Sequence, residues 1–314
     1  MLTPLPRTLA AALLLASPVG LTACAGTAEK SAPTTASAAG SAPCPTEPVD
    51  VVVSVDQWGD IVSQLGGSCA KVTTLLASSS VDPHDYEPSP ADAAKFQGAR
   101  LVVVNGGHYD EWASKLAASS APTATVVSAL PAASHDEAGN PHAWYDPATV
   151  TSVADAVTAK LSAAAPDAAG YFNDRRTAFG DSMKPYDAAI AKIKAGAAGR
   201  TYAATESVFD DMATAVGLEN RTPAGYQVAS ANESDPSPAD LDAFITLLKN
   251  KGVDVLIFNT QTEGTVPDQL RSAAETAGIP VVEVTETVAP GAESFEAWQV
   301  DQLTALGKAL GVAV

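Results

Sequence analysis

The sequence predicts an α/β protein of two related lobes, each a mostly parallel sheet flanked by helices, joined by a long rigid spine helix. Three observations carry this reading. Short runs such as Val49–Val55 (VDVVVSV) are apolar at nearly every position, the pattern of a strand buried on both faces of a parallel sheet. Such runs alternate with segments of helical periodicity, the order that builds βαβ units. Finally, Pro236-Ser237-Pro238-Ala239-Asp240 repeats Pro88-Ser89-Pro90-Ala91-Asp92, and each copy leads to a helix and then to a buried strand closing on asparagine, Asn105 or Asn259.

The chain has 314 residues, and 46% hydrophobic with 17% charged content is that of a globular protein with room for two domains. A formal net charge of −18 argues against nucleic acid or an anionic membrane surface as partner and is compatible with attracting cations. Residues 1–23 read as a signal peptide, because Arg7 precedes an apolar run over residues 8–21 that is too short to span a bilayer. The run ends in Leu21-Thr22-Ala23-Cys24, which resembles the lipobox of bacterial lipoproteins. In such a box the cysteine thiol takes a diacylglyceryl group and cleavage leaves it as the new N-terminus. Acyl chains worth roughly 0.8 kcal/mol per buried CH₂ would then hold Cys24 to the membrane's outer face. Residues 24–48 are rich in Ala, Ser, Thr and Pro with almost nothing to bury, and read as a flexible tether. Cys44 and Cys69 remain, and two thiols in an extracytoplasmic compartment point to a disulfide pinning the tether's base to the first helix.

The N-terminal lobe is expected over residues 49–165. After the first strand, residues 58–65 have helical spacing and stop at Gly66-Gly67. Residues 71–76 (KVTTLL) are β-branched and apolar enough for a second strand. The stretch VDPHDYEPSPAD then sets His84 between an Asp82-Pro83 turn and a helix start at Ser89-Pro90, with Asp92 in the first turn. A helix over residues 91–98 and a buried strand over residues 100–104 lead to Asn105-Gly106-Gly107-His108. Residues 122–130 supply a weaker strand, and a loop carrying His135 runs through NPHAWYDP into a helical, alanine-rich stretch over Pro147–Ala164.

Residues 166–195 look like one long helix that Pro185 kinks or divides. About 30 residues rising 1.5 Å each reach ~45 Å, longer than one lobe needs, so residues 166–197 are read as the spine. The C-terminal lobe, residues 198–314, resumes the βα pattern. It has a strand over residues 201–205 with Glu206 at its end, a helix over residues 208–216, the repeated helix start and the strand VDVLIFN. A strand over residues 280–284, the loop Thr285-Glu286-Thr287 and a last helix over residues 294–310 complete it.

Four side chains fall on loops at or just beyond strand ends, where open α/β sheets bind ligands: His84 and His142 in the first lobe, Glu206 and Glu286 in the second. Two imidazoles and two carboxylates suit a divalent transition metal, and a ligand held by both lobes lies in the cleft between them. His108, just after a strand end, reads as a packed or exposed loop residue, a partner behind the ligands or an alternative ligand. Asp82, Asp85, Asp146 and Asp210 are expected to cap helices and to orient the imidazoles.

Through DPHDYEPSPAD, NPHAWYDP, the strand end at Glu206 and VTETVAPG before the final helix, residues 49–314 resemble the metal-binding solute-binding lipoproteins of ABC importers, the manganese and zinc group. The resemblance implies one metal ligand from each of four loops at the interface of two lobes. It also implies delivery to an ABC transporter permease driven by a cytoplasmic ATPase. By position it assigns His84, His142, Glu206 and Glu286 as ligands, Glu286 standing where the family usually has the shorter aspartate. Two carboxylates binding through both oxygens would supply about six donors, which favours Mn²⁺, with Zn²⁺ as the alternative. The expected protein is a monomer and not an enzyme, for no HExxH or GxSxG motif is present. An adhesive surface lipoprotein and an extracytoplasmic metallohydrolase are the competing readings.

Overall fold

A computed structural model describes residues 43–77, 83–84, 86–136, 139–232, 234–262 and 264–314. The signal peptide, Cys24, most of the tether, Asp82 and Asp85 lie outside the described residues.

The first lobe runs β1 (Val49–Val55), α1 (Asp56–Gly66), β2 (Ala70–Leu76), α2 (Pro90–Lys95), β3 (Leu101–Val104), α3 (Glu111–Ser120), β4 (Thr125–Ser128), α4 (Ala129–Ala132) and α5 (Pro147–Ala164). Its strands are parallel in the order β2-β1-β3-β4. β1 and β3 are the inner strands, which is why their runs are apolar at nearly every position. Val51, Val53 and Val55 enter one core, while Val52, Val102 and Val104 enter another on the opposite face. The weaker strand expected over residues 122–130 is confined to β4. A turn in which the Ala124 N–H donates to the Ala121 carbonyl (3.0 Å) precedes it, and Pro131 in the first turn of α4 follows it.

The spine is divided by its proline. α6 (Ala169–Ser182) and α7 (Lys184–Ala197) are separated at Met183, and Pro166–Ala168 form a 3₁₀ turn ahead of them. Pro185, the second residue of α7, has no N–H to offer the Asp181 carbonyl, and its ring crowds that turn.

The second lobe runs β5 (Thr201–Ala204), α8 (Asp210–Ala215), β6 (Glu219–Asn220), α9 (Ala224–Ala231), α10 (Pro238–Lys249), β7 (Val255–Asn259), α11 (Thr265–Ala277), β8 (Val281–Val284) and α12 (Phe295–Leu310). Its parallel order, β6-β5-β7-β8, repeats the topology of the first sheet. The repeated segments have one role in both lobes. Ser89 caps α2 and Ser237 caps α10, each accepting from the N–H of the aspartate three residues on, with proline at the first helical position.

A single apolar core passes from β1 and β3 through α5, α6 and α7 to β5, β7 and α12. α6 packs on α5 and α1, and α7 packs along α12. α1 is further tied to the second lobe by hydrogen bonds. Asp56 Oδ1 accepts from Val288 N–H (3.2 Å), Asp60 Oδ2 accepts from Phe295 N–H (2.8 Å), and Gln64 Nε2 donates to Glu296 Oε2 (2.8 Å). A disulfide joins Cys44 to Cys69, 25 residues apart, and so fastens the segment before β1 to the turn after α1. No described helix is long and apolar enough to cross a membrane.

Candidate metal centre

His84 leaves the loop between β2 and α2. Beside it, Trp112 Nε1 donates to the Pro83 carbonyl (3.3 Å), and the loop's end at α2 is held by the reciprocal capping of Ser89 and Asp92. The His84 ring stands edge-on to Tyr109 at 4.8 Å and lies 5.8 Å from the ring of His142. His142 precedes a buried 3₁₀ turn, Ala143–Tyr145, and is only 2% exposed. Its Nδ1 lies 2.7 Å from Asn140 Oδ1, while Asn140 Nδ2 donates to the Ser207 carbonyl (3.0 Å) in the other lobe. A carbonyl oxygen only accepts, so Nδ1 carries the proton and Nε2 the lone pair. Burial, with His84 nearby, pushes the His142 pKa well below its ordinary value and keeps the ring neutral, the form that ligates metals.

Glu206 stands just beyond β5, and Glu286 in the loop after β8. Between them lies Asn259, the last residue of β7, whose Nδ2 donates to Glu206 Oε2 (2.7 Å) and to Glu286 Oε1 (2.8 Å). Thr262 Oγ1 donates a short hydrogen bond to the same Glu206 oxygen. Gln261 Oε1 accepts from the N–H groups of Glu286 (2.8 Å) and Thr287 (3.0 Å), which fixes the Glu286 loop. The remaining carboxylate oxygens face His142: Glu206 Oε1 is 3.7 Å and Glu286 Oε2 is 3.8 Å from Nε2, which has no hydrogen-bond partner among the described residues.

Donor atoms of His84, His142 and Glu286 lie within 4.8 Å of one another, and Glu206 approaches this group through His142. A cavity of about 690 Å³ opens beside them, lined by His84, His142, Glu206 and also the exposed His108, which is not in the three-residue cluster. His135 points elsewhere, its Nε2 3.2 Å from Asp146 Oδ2. Asp146 caps α5 as expected of a helix-starting aspartate, but neither it nor Asp210 orients a metal-facing imidazole. Asp210 instead accepts from the Tyr202 hydroxyl (2.7 Å). The residue that orients His142 is Asn140, because an amide can accept from the imidazole and donate across the lobes at once, which a carboxylate cannot. Asn140, Asn259, Gln261 and Thr262 were not singled out as site residues from the sequence; the one available signal was that both repeated units close a strand on asparagine.

Two imidazole nitrogens and a near oxygen from each glutamate make a donor set for a divalent transition metal, whose charge would offset the repulsion between the carboxylates. Two α/β lobes meeting around such a set define a two-lobe solute-binding protein. Residues 51–309 match the family described as zinc-uptake complex component A, periplasmic (ZnuA), and the chain belongs to that family. The family is one of solute-binding proteins for metal transport, not of enzymes.

Among relatives, the high-affinity zinc uptake system protein ZnuA of Bacillus subtilis is 26% identical over 217 residues, 63% of this chain and 67% of that protein. The manganese-binding lipoprotein MntA of Halalkalibacterium halodurans is 29% identical over 128 residues, 39% of this chain and 42% of its own length. The chain thus spans less than half the length of several relatives it matches. The periplasmic zinc binding protein TroA from Treponema pallidum shares the fold, with a TM-score of 0.71 at 19% identity over 84% of this chain and 99% of that one.

Proposed function

We propose that this protein is the extracytoplasmic, lipid-anchored metal-binding component of an ABC importer. Anchored through Cys24 and monomeric, it captures a divalent transition metal between the lobes of residues 49–165 and 198–314. It then delivers the ion to a membrane permease driven by a cytoplasmic ATPase. His84, His142, Glu206 and Glu286 are the ligands, with His108 on the cavity wall as a partner behind them or an alternative ligand. The observation that carries the reading is the convergence of His142 Nε2 with Glu206 Oε1 and Glu286 Oε2, at 3.7 and 3.8 Å. Two ligands each about 2.1 Å from one ion at a tetrahedral angle stand roughly 3.4 Å apart, so small adjustments bring these atoms into coordination. The names of the relatives, which include zinc, manganese and iron binders, support the class of cargo. An adhesive role finds no support in the family or in these relatives.

Competitive calorimetry of the metal-stripped protein with Zn²⁺ and Mn²⁺, beside Glu206→Gln, tests the reading. Tight binding of either ion that falls at least about 10-fold in the variant is expected. No binding of either ion by the unaltered chain overturns it.

A further inference from the structure

Asn259 is 1% exposed, and its amide orientation is fixed. Oδ1 accepts from Gln261 N–H (3.1 Å), so the NH₂ group points the other way, where it meets two different carboxylates. Glu206 Oε2 accepts at 2.7 Å and Glu286 Oε1 at 2.8 Å, and the Thr262 hydroxyl adds a second hydrogen bond to the Glu206 oxygen. The oxygens facing His142 Nε2 are the other ones, one from each glutamate. At the matching end of β3, Asn105 Nδ2 donates instead to the backbone carbonyls of Pro141 (2.7 Å) and Gly106 (3.2 Å), so the bridging of two acids is particular to the second lobe.

We infer that Asn259 is a specificity-determining positioning residue: by engaging one oxygen of each glutamate, it holds both to single-oxygen coordination and fits the site to a four-coordinate cation of the zinc kind. This rests on the metal-capture reading and specifies its cargo. It runs against the manganese preference expected from the sequence, which required both oxygens of both carboxylates. To chelate through both oxygens a carboxylate turns its whole edge toward the ion, which would work against the two hydrogen bonds that Glu206 Oε2 accepts and the one that Glu286 Oε1 accepts from Asn259. Two nitrogens and two oxygens are the donor count of zinc sites, whereas manganese-type ions favour about six oxygen-rich donors. A carboxamide suits the role because it supplies two protons to two anions without adding charge.

The test is X-ray absorption spectroscopy of the purified full chain loaded with Zn²⁺ or with Mn²⁺, combined with competitive calorimetry giving the ratio of the two dissociation constants. The unaltered protein should show four nitrogen or oxygen neighbours around zinc and a zinc preference of about 100-fold or more. Asn259→Leu keeps the branching and the number of side-chain heavy atoms and removes both donors; it should raise the neighbour count to five or six and reduce the zinc preference about 10-fold or more. Thr262→Val, which removes only the loop hydroxyl on Glu206, should move both readouts less in the same direction, and it reports where the strand variant fails to fold. Five or six neighbours in the unaltered protein, or variants with unchanged count and preference, overturn the inference and leave metal capture standing. Failure of the unaltered protein to bind either ion overturns both.

Discussion

The hydroxyl of Tyr145, in the first lobe, lies 2.7 Å from the carbonyl oxygen of Thr285, the residue before Glu286 in the second. It is equally close to Gln302 Oε1, and burial pushes its pKa well above the ordinary value, so it remains a donor at any physiological pH. The Glu286 loop of one lobe is thus held in place by the aromatic turn that follows His142 in the other. Tyr145→Phe leaves a buried carbonyl short of a donor and should lower unfolding stability by about 1–3 kcal/mol. Denaturant unfolding measures that loss, and calorimetry should show weaker metal binding as the Glu286 loop loosens.

Asn140→Ala removes the acceptor that fixes the His142 proton on Nδ1. Metal affinity should fall about 10- to 100-fold, the usual cost of losing the partner that orients a ligating histidine. The nitrogen chemical shifts of His142 in the metal-free protein check the cause directly: a mixture of tautomers is expected in the variant and a single one in the parent.

Burial lifts Asp56 and Asp210 from 3.8 to about 6. For each, the folded state keeps a proton that the unfolded chain releases. The stabilising contribution is therefore full below about pH 4 and is lost as pH rises through about 6. His142, depressed by burial, acts with the opposite sign below its ordinary value of 6.5, so the informative quantity is the difference between parent and Asp56→Asn. That variant should gain stability relative to the parent between pH 4.5 and 7, by on the order of 2 kcal/mol. Urea unfolding of metal-free protein at both pH values gives the number, and a flat difference would rule out a raised Asp56.

Closing a loop of 25 residues, the Cys44–Cys69 bond should contribute roughly 3 kcal/mol through the unfolded chain. The double Cys44→Ala, Cys69→Ala variant is expected to melt at lower temperature yet bind metal as before, since the disulfide lies at the turn between α1 and β2, and His84, His142, Glu206 and Glu286 do not. A matching loss of affinity would show that the tether's base shapes the site.

The inner strands were legible because β1, β3 and β7 are covered on both faces and announce it by nearly continuous apolar runs. β6 was not, for its two residues, Glu219 and Asn220, are exposed and carry no pattern. Whereas His142 stands beyond the short helix α4 and not at a strand end, the loop positions of His84 after β2, Glu206 after β5 and Glu286 after β8 followed from the alternation of strand and helix. What orients them did not, since Asn140 and Asn259 act on partners 67, 53 and 27 residues away, and no periodicity encodes such pairs. Residue types alone also do not register the hydrogen bonds that engage one oxygen of each carboxylate, which only the folded loops bring together.

The apolar core that runs unbroken from one sheet to the other makes the junction a seam rather than a jaw. A jaw lets go by swinging open about a hinge. A seam lets go only where its stitching slackens, and here the stitches nearest the site are the loops of His142 and Glu286 with their cross-lobe bonds at Asn140 and Tyr145. A permease drawing an ion from this protein would then work on those few loops, and small-angle scattering of the two lobes should look the same with and without the ion.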